Sequence, residues 1–190
     1  MELLIIFLLA LLNGVLAMSE LAVVSARRAR LQNFIEDGND KAKIALNLAQ
    51  EPNRFLSTVQ IGISLVGVLA GAFGGATLAD DAARLLDKIE PLAPHSDALG
   101  FVLIVVFTTY LSLVFGELVP KRLAIRAPER IAMLVATPMY RLSQLTYPLV
   151  VILSASTEGI LRLLNVRDND EPTVTEEEVA MMLREGTKVQ

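Results

Sequence analysis

The chain has 190 residues, 53% of them hydrophobic, and a net charge of -4 at pH 7. A soluble domain is about 45–50% apolar, and the apolar residues of this chain are gathered into long runs, which indicates an integral membrane protein. The absence of cysteine excludes disulfides, thiol catalysis and thiolate metal sites, and a single histidine, His95, cannot form a zinc site.

Three apolar runs are long enough to cross a bilayer as helices. They cover about residues 3–24, 55–79 and 99–119, and roughly 20 apolar residues suffice for one span. A membrane barrel would instead show alternating polar residues along its strands. The predicted fold class is therefore an all-α membrane protein with three transmembrane helices.

Short helices are predicted in the first two loops. Residues 28–35 and 41–50 are amphipathic, and we expect Gly38 to end the first of these helices and Asp40 to cap the second. In the next loop, residues 81–89 predict one further helix.

The distribution of basic residues predicts the orientation in the membrane. The loops after the first and third runs are rich in lysine and arginine, whereas residues 80–97 hold two basic residues against five acids. Because basic loops stay in the cytoplasm, we expect a multi-pass protein of the inner membrane with its N-terminus outside the cell.

Residues 131–164 are apolar enough to span the membrane but are interrupted by Pro138, Arg141, Pro148 and Glu158. A fourth span would carry Arg141 or Glu158 into the bilayer. We predict instead two short, proline-broken helices that enter the membrane partway or lie along its cytoplasmic interface. This arrangement leaves the C-terminus in the cytoplasm.

The end of the chain predicts a connection to a further domain. Residues 168–171 are an acidic linker, and residues 175–178, Thr-Glu-Glu-Glu, form a capping box that opens an amphipathic helix. Such an isolated helix is marginally stable alone. We expect residues 1–167 to form the transmembrane domain and residues 168–190 to lead into a domain outside this chain.

Glu117 is the strongest candidate for a functional residue. It ends an apolar run and is followed by Pro120 and Lys121. A carboxylate beside hydrocarbon costs about 3 kcal/mol on insertion scales and normally faces a protein interior, a partner or an aqueous path. Pro120 has no N–H, so the carbonyl of Gly116 loses its helical donor. This carbonyl and the carboxylate are two oxygen ligands for a hard cation such as Mg²⁺ or Na⁺.

The first span ends in a similar way. Glu20 lies at a depth similar to that of Glu117, Ser19 precedes it, and Asn13 shares its helix face. Two acids at one depth suggest a single cation site. The alternative is that each acid forms an ordinary ion pair, Glu117 with Lys121 and Glu20 with a nearby arginine.

The second span carries a face of small and polar residues. Without side chains, its glycines let another helix approach closely, and its hydroxyl and amide oxygens would line the same face. Helix packing alone is the alternative explanation. The residues are Ser57, Gln60, Ser64, Gly67, Gly71 and Gly75.

Three motifs occur in order on successive spans: Ala17-Met18-Ser19-Glu20, Thr58-Val59-Gln60-Ile61-Gly62 and Gly116-Glu117-Leu118-Val119-Pro120-Lys121. Together they resemble the transmembrane domain of the cyclin M (CNNM) and CorC magnesium-transport family, whose bacterial members are often labelled hemolysin-related. The resemblance covers nearly the whole chain, and the third motif is its most specific part.

The resemblance implies a homodimer with cytosolic CBS domains that exports magnesium, coupled to sodium. The family holds its ion with a serine of the first span, an asparagine of the second and the glutamate of the third. By motif these correspond to Ser19 and Glu117. The asparagine has no counterpart, because its positions read Ile63 and Gly67 and Ser64 is the nearest oxygen-bearing side chain. Relatives linked to polyamine export leave an organic cation open as the cargo.

Other classes of function are less consistent with the sequence. It contains no nucleotide-binding loop, catalytic triad or dense basic face for nucleic acid, so we do not expect an enzyme or a nucleic-acid-binding protein. One alternative is a membrane anchor or sensor for a cytosolic CBS module, which would move no ion. Pore formation fits poorly with a conventional positive-inside topology.

Overall fold

The computed structural model describes residues 2–73 and 78–164, and within these ranges it contains helices and no strand. The predicted linker and helix of residues 168–190, and Gly75, lie outside the described residues. The elements are α1 (Glu2–Ser25), α2 (Arg28–Glu36), α3 (Asp40–Gln50), α4 (Pro52–Phe73), α5 (Ala79–Leu86), a 3-10 turn (Ala93–His95), α6 (Ser96–Leu113), a π-helical turn (Val114–Leu118), α7 (Val119–Arg126) and α8 (Pro128–Leu163).

Three helical stretches are long and apolar enough to cross a membrane, which confirms the predicted number of spans. They are Glu2–Ser25, Pro52–Phe73 and Ala93–Arg126. The third is built from the 3-10 turn, α6, the π-helical turn and α7 together. The all-α membrane fold is therefore the one that the composition predicts.

The first span is the centre of the packing. Helix α1 packs against α4, α7 and the π-helical turn, and the buried core includes Leu16, Val23, Phe55 and Val59. Gly62 allows α4 to lie close to α1, because a β-carbon at this position would be 2.9 Å from a methyl group of Leu16. One side of α1 is thus covered by the two other spans, while residues such as Leu4, Leu8 and Val24 stay exposed.

The loop after α1 forms the predicted helical pair, with one correction. Gly38 follows α2 with φ of 83°, a backbone conformation that favours glycine. The cap of α3 is Asn39 and not Asp40, because the Asn39 side chain accepts a hydrogen bond from the N–H of Lys41 at 3.0 Å. Asp40 is instead the first residue of the helix, where its charge favours the helix N-terminus.

The region after α7 differs from the prediction. Residues 128–163 form one helix of 36 residues, with Pro138 and Pro148 inside it, so the predicted break into two helices is wrong. Proline removes backbone hydrogen bonds from the helix. The burial of residues along one face of α8 stabilises the helix and offsets this loss. These residues are Ala132, Met133, Val135, Ala136, Met139, Ser143 and Val150.

Two units are distinguished along the chain. Residues 1–150 form one compact unit. The described part of the second unit, residues 151–164, is exposed throughout. Helix α8 is not among the candidate spans of the described residues.

A buried carboxylate ties the start of α8 to the junction between α1 and α2. The side chain of Glu129 is 8% exposed, and its Oε2 lies 3.7 Å from Nη1 of Arg30. Its other oxygen accepts a hydrogen bond from the backbone N–H of Arg27 at 3.3 Å. The charged basic loop is thereby fixed against the helix that follows the third span.

Candidate cation site

The third span departs from regular α-helix where Gly116 and Glu117 lie. Val114–Leu118 form a π-helical turn, a wider turn that is frequent at functional sites. Pro120 lies at the start of α7 and is buried. Because proline has no N–H, it cannot supply the α-helical donor to the carbonyl four residues earlier.

The carbonyl of Gly116 is bound by a side chain of the first span. Nδ2 of Asn13 donates a hydrogen bond to Gly116 O at 3.2 Å. Oδ1 of Asn13 is buried and has no hydrogen-bond partner among the residues that the structure describes. The amide nitrogen of Asn13 therefore joins α1 to the π-helical turn, while its amide oxygen stays unpaired.

Glycines on both sides bring the two backbones together. A β-carbon on Gly14 would lie 2.5 Å from the carbonyl oxygen of Phe115 and 2.8 Å from Cγ of Pro120. On the other side, a β-carbon on Gly116 would lie 3.2 Å from the carbonyl oxygen of Ala10. No larger residue fits the junction without moving backbone atoms.

Glu117 forms the ion pair that the sequence left open as an alternative. Its Oε1 lies 2.6 Å from Nζ of Lys121, and the two side chains are 45% and 38% exposed. A pair with this exposure is screened by solvent and contributes little to stability. The carboxylate is therefore held locally and is also accessible.

Ser19 and Glu20 differ in their surroundings. Ser19 is fully buried, and its Oγ donates to the carbonyl of Val15 at 2.6 Å, which leaves the lone pairs of the hydroxyl oxygen. Glu20 is partly buried and forms no ion pair within residues 2–73 and 78–164. The alternative explanation for Glu20, an ion pair with a nearby arginine, is not seen in that part of the chain.

The polar face of α4 does not join this junction. Gln60 and Ser64 are exposed, and a β-carbon on Gly67 or Gly71 would meet nothing within 4 Å. Helix α4 packs instead against α1 and α3. The structure therefore brings the first and third spans together and leaves this face uncovered.

A cation at the junction would be bound by neutral and backbone oxygens as well as by Glu117. Across the described residues, no three histidine, cysteine or acidic side chains are grouped closely enough to hold a metal ion. Hard cations such as Mg²⁺ accept carbonyl, carboxylate and hydroxyl oxygens. The oxygens of Asn13, Gly116 and Glu117 are of these types.

Comparison with known proteins agrees with the motifs on the three spans. Residues 3–189 match the family described as cyclin M transmembrane N-terminal domain. The chain belongs to this family. It is 51% identical to UPF0053 protein sll0260 of Synechocystis over 99% of its length, and 31% identical to UPF0053 protein YhdT of Bacillus subtilis over 98%.

A further relative of this member of the cyclin M family has a name that states a function. The polyamine export protein of Haemophilus influenzae is 28% identical over 95% of this chain. The chain spans about two fifths of the length of these relatives, 42%, 41% and 41% in the order given. The membrane domain is thus one part of the proteins that it matches.

Asn13 is the residue of the site that sequence reasoning undervalued. It shares a helix face with Glu20, but its bond to Gly116 links residues 103 positions apart, and no local pattern predicts such a pair. One signal was available, because an amide within an apolar run needs a hydrogen-bond partner when the helix lies in a membrane.

Proposed function

We propose that this chain is the membrane domain of a cation exporter, with Mg²⁺ as the first candidate cargo and Na⁺ as the coupling ion. The observation that carries the proposal is the junction of α1 with the π-helical turn. There the carbonyl of Gly116, which precedes Glu117, lacks its α-helical donor because Pro120 has no N–H. We further propose that the domain performs transport and no enzymatic reaction.

The chemistry of the junction suits a hard cation. Mg²⁺ takes six oxygen ligands at about 2.1 Å and commonly keeps several waters. The carboxylate of Glu117 supplies the charge, and the Gly116 carbonyl and the Ser19 hydroxyl supply neutral oxygens. We assign these three residues as the primary ligands, with Glu20 as a second acid near the same end of the spans.

Lys121 pairs with the carboxylate of the site when no cargo is bound. Its ammonium lies against the Glu117 carboxylate and so neutralises an acid at the edge of the membrane. An arriving cation competes with Lys121 for the same carboxylate oxygen. The Glu117 carboxylate is then paired with Lys121 when no cargo is bound and with the cargo when cargo is bound. Its charge is therefore not left unpaired, which would be costly.

The proposed transporter is a homodimer in the bilayer. The exposed face of α4 carries Gln60, Ser64 and Gly67, and polar groups facing lipid are unfavourable. A second subunit placed on this face would cover them and would bring Ser64 to the interface. Cytosolic CBS domains would follow the chain, an arrangement that fits its coverage of about two fifths of its relatives.

A polyamine is the second candidate cargo. The name of the Haemophilus influenzae relative favours it, and carboxylate, carbonyl and hydroxyl oxygens also accept hydrogen bonds from ammonium groups. The lack of an asparagine on α4 at the family's usual positions, which are Ile63 and Gly67 in this chain, agrees with a cargo other than Mg²⁺. A membrane anchor for a regulatory module remains the alternative without transport.

Calorimetric titration of the purified intact protein with Mg²⁺, Na⁺ and putrescine distinguishes these functions. Saturable binding of Mg²⁺ that is lost in Glu117→Gln supports the magnesium site. Binding of putrescine alone makes the polyamine the cargo. A protein that binds none of the three is an anchor or sensor, and the transport proposal then fails.

A further inference from the structure

The amide of Asn13 is paired at one end only. Nδ2 donates to the carbonyl of Gly116, whereas Oδ1 is buried without a hydrogen-bond partner in residues 2–73 and 78–164. Buried polar atoms are almost always satisfied in folded proteins, so an exception requires a physical explanation. A role as a ligand is one such explanation.

Reversing the amide does not remove the unpaired oxygen. With oxygen and nitrogen exchanged, the oxygen of Asn13 would face the oxygen of Gly116 at about the same 3.2 Å, and two acceptors would repel. The hydrogen-bond network therefore fixes the orientation of the amide. Oδ1 points away from Gly116 because the two polar atoms of a carboxamide diverge.

Two side-chain donors of the first and third spans already have acceptors. The hydroxyl proton of Ser19 is directed to the carbonyl of Val15, and the ammonium of Lys121 lies on Glu117. An amide oxygen accepts hydrogen bonds or binds cations and donates nothing. Its missing partner is therefore a group that arrives with positive charge or with donor protons.

We propose that Oδ1 of Asn13 is a direct ligand of the transported cation, an inference that rests on the function proposed above. The ligand set would then join the first span, through Asn13, to the third span, through Glu117. Either Mg²⁺ or the ammonium group of a polyamine satisfies an amide oxygen, so the shared chemistry is a cationic guest.

The same amide couples occupancy of the site to the helix junction. A cation on Oδ1 draws electron density away from the amide nitrogen, which makes the N–H a stronger donor to Gly116 O. Cargo binding therefore tightens the contact between α1 and the π-helical turn, next to Glu117. Release of the cargo weakens this contact, and the two spans become freer to separate.

Titration of Asn13 variants in the purified intact protein tests this inference, with Mg²⁺ and putrescine as the probes. Asn13→Leu removes both ends of the amide at similar size, and Asn13→Asp keeps an oxygen ligand but loses the N–H. Asn33→Leu, on the exposed surface of α2, is the matched control. Thermal unfolding without cation is recorded for every variant, to separate binding from folding.

We expect Asn13→Leu to bind the cargo at least about tenfold more weakly than the wild type, while Asn13→Asp and Asn33→Leu retain binding. The probe that shows this pattern identifies the guest. Wild-type affinity in Asn13→Leu, or loss of binding in Asn13→Asp, would overturn the ligand role. If Asn13→Leu does not fold, Asn13→Ala, which also removes the amide oxygen, takes its place. A wild-type protein that binds neither probe refutes the proposed function itself.

Discussion

Nζ of Lys121 lies 2.6 Å from Oε1 of Glu117, one helical turn earlier in the third span. The pair lies beside the junction where Asn13 binds the carbonyl of Gly116. An ordinary helix-surface ion pair and a cation site share this geometry, because both need an accessible carboxylate. The two explanations differ in what happens when the lysine charge is removed.

Replacing Lys121 by glutamine is expected to increase the affinity for the cargo. The ammonium competes for the carboxylate, and a partly exposed pair is worth about 0.2–1 kcal/mol, so the gain in affinity is about 1.4- to fivefold. Calorimetric titration of Lys121→Gln measures it, with Lys43→Gln on the exposed surface of α3 as the control. Weaker binding in Lys121→Gln would show that the lysine assists the site and does not compete for it.

The close approach at Gly14 predicts a local penalty for alanine. The added β-carbon would lie 2.5 Å from the carbonyl oxygen of Phe115, and overpacking of this kind costs about 1–3 kcal/mol. Thermal unfolding in detergent should show a lower midpoint for Gly14→Ala than for the wild type.

Gly159→Ala is the matched control for this substitution. Gly159 lies in α8 with nothing within 4 Å of its β-carbon position, so alanine there is neutral or stabilising by up to about 1 kcal/mol. Equal midpoints for the two variants would contradict the close approach of α1 to the π-helical turn.

The buried carboxylate of Glu129 predicts a second stability difference. Glu129→Ala removes the carboxylate that accepts from the N–H of Arg27 and pairs with Arg30, and a hydrogen bond to a charged group contributes about 1.5–3 kcal/mol. Glu158→Ala is the control, because its pair with Arg162 is 68% and 84% exposed and contributes about 0–1 kcal/mol. Denaturant titration of both variants compares the losses, and equal losses would remove the structural role assigned to Glu129.

The proposed dimer predicts disulfide formation across the exposed face of α4. The chain has no cysteine, so Gly67→Cys introduces a single thiol without background. Oxidation in native membranes should give a cross-linked dimer of Gly67→Cys and no comparable product of Lys43→Cys on α3. If Gly67→Cys remains monomeric under these conditions, the second subunit does not lie on this face.

The three spans could be predicted from sequence because they depend on local composition. Apolar length determines the spans, and the missing N–H of Pro120 determines that Gly116 needs another donor. That the donor is Asn13 could not be predicted, because the contact joins distant parts of the chain. Tertiary packing also decides that α8 continues through Pro138 and Pro148.

The incorrect choice of Asp40 as the cap of α3 does not arise from tertiary packing. Asn39 and Asp40 are adjacent residues that both cap helices well, so the sequence indicates a cap without deciding between them. The position of Gly38, by contrast, was predicted correctly, since a glycine that follows an amphipathic segment commonly ends a helix. The cytoplasmic position of the C-terminus stays a prediction.

Magnesium efflux from loaded proteoliposomes tests the central claim, that Glu117 is the charged ligand of the transported cation. The intact wild-type protein, Glu117→Gln and the control Glu158→Gln are reconstituted at equal density, with folding and oligomeric state compared for each. The account predicts efflux by the wild type and Glu158→Gln, and efflux at the background rate of protein-free vesicles for Glu117→Gln. Wild-type efflux by Glu117→Gln would contradict it.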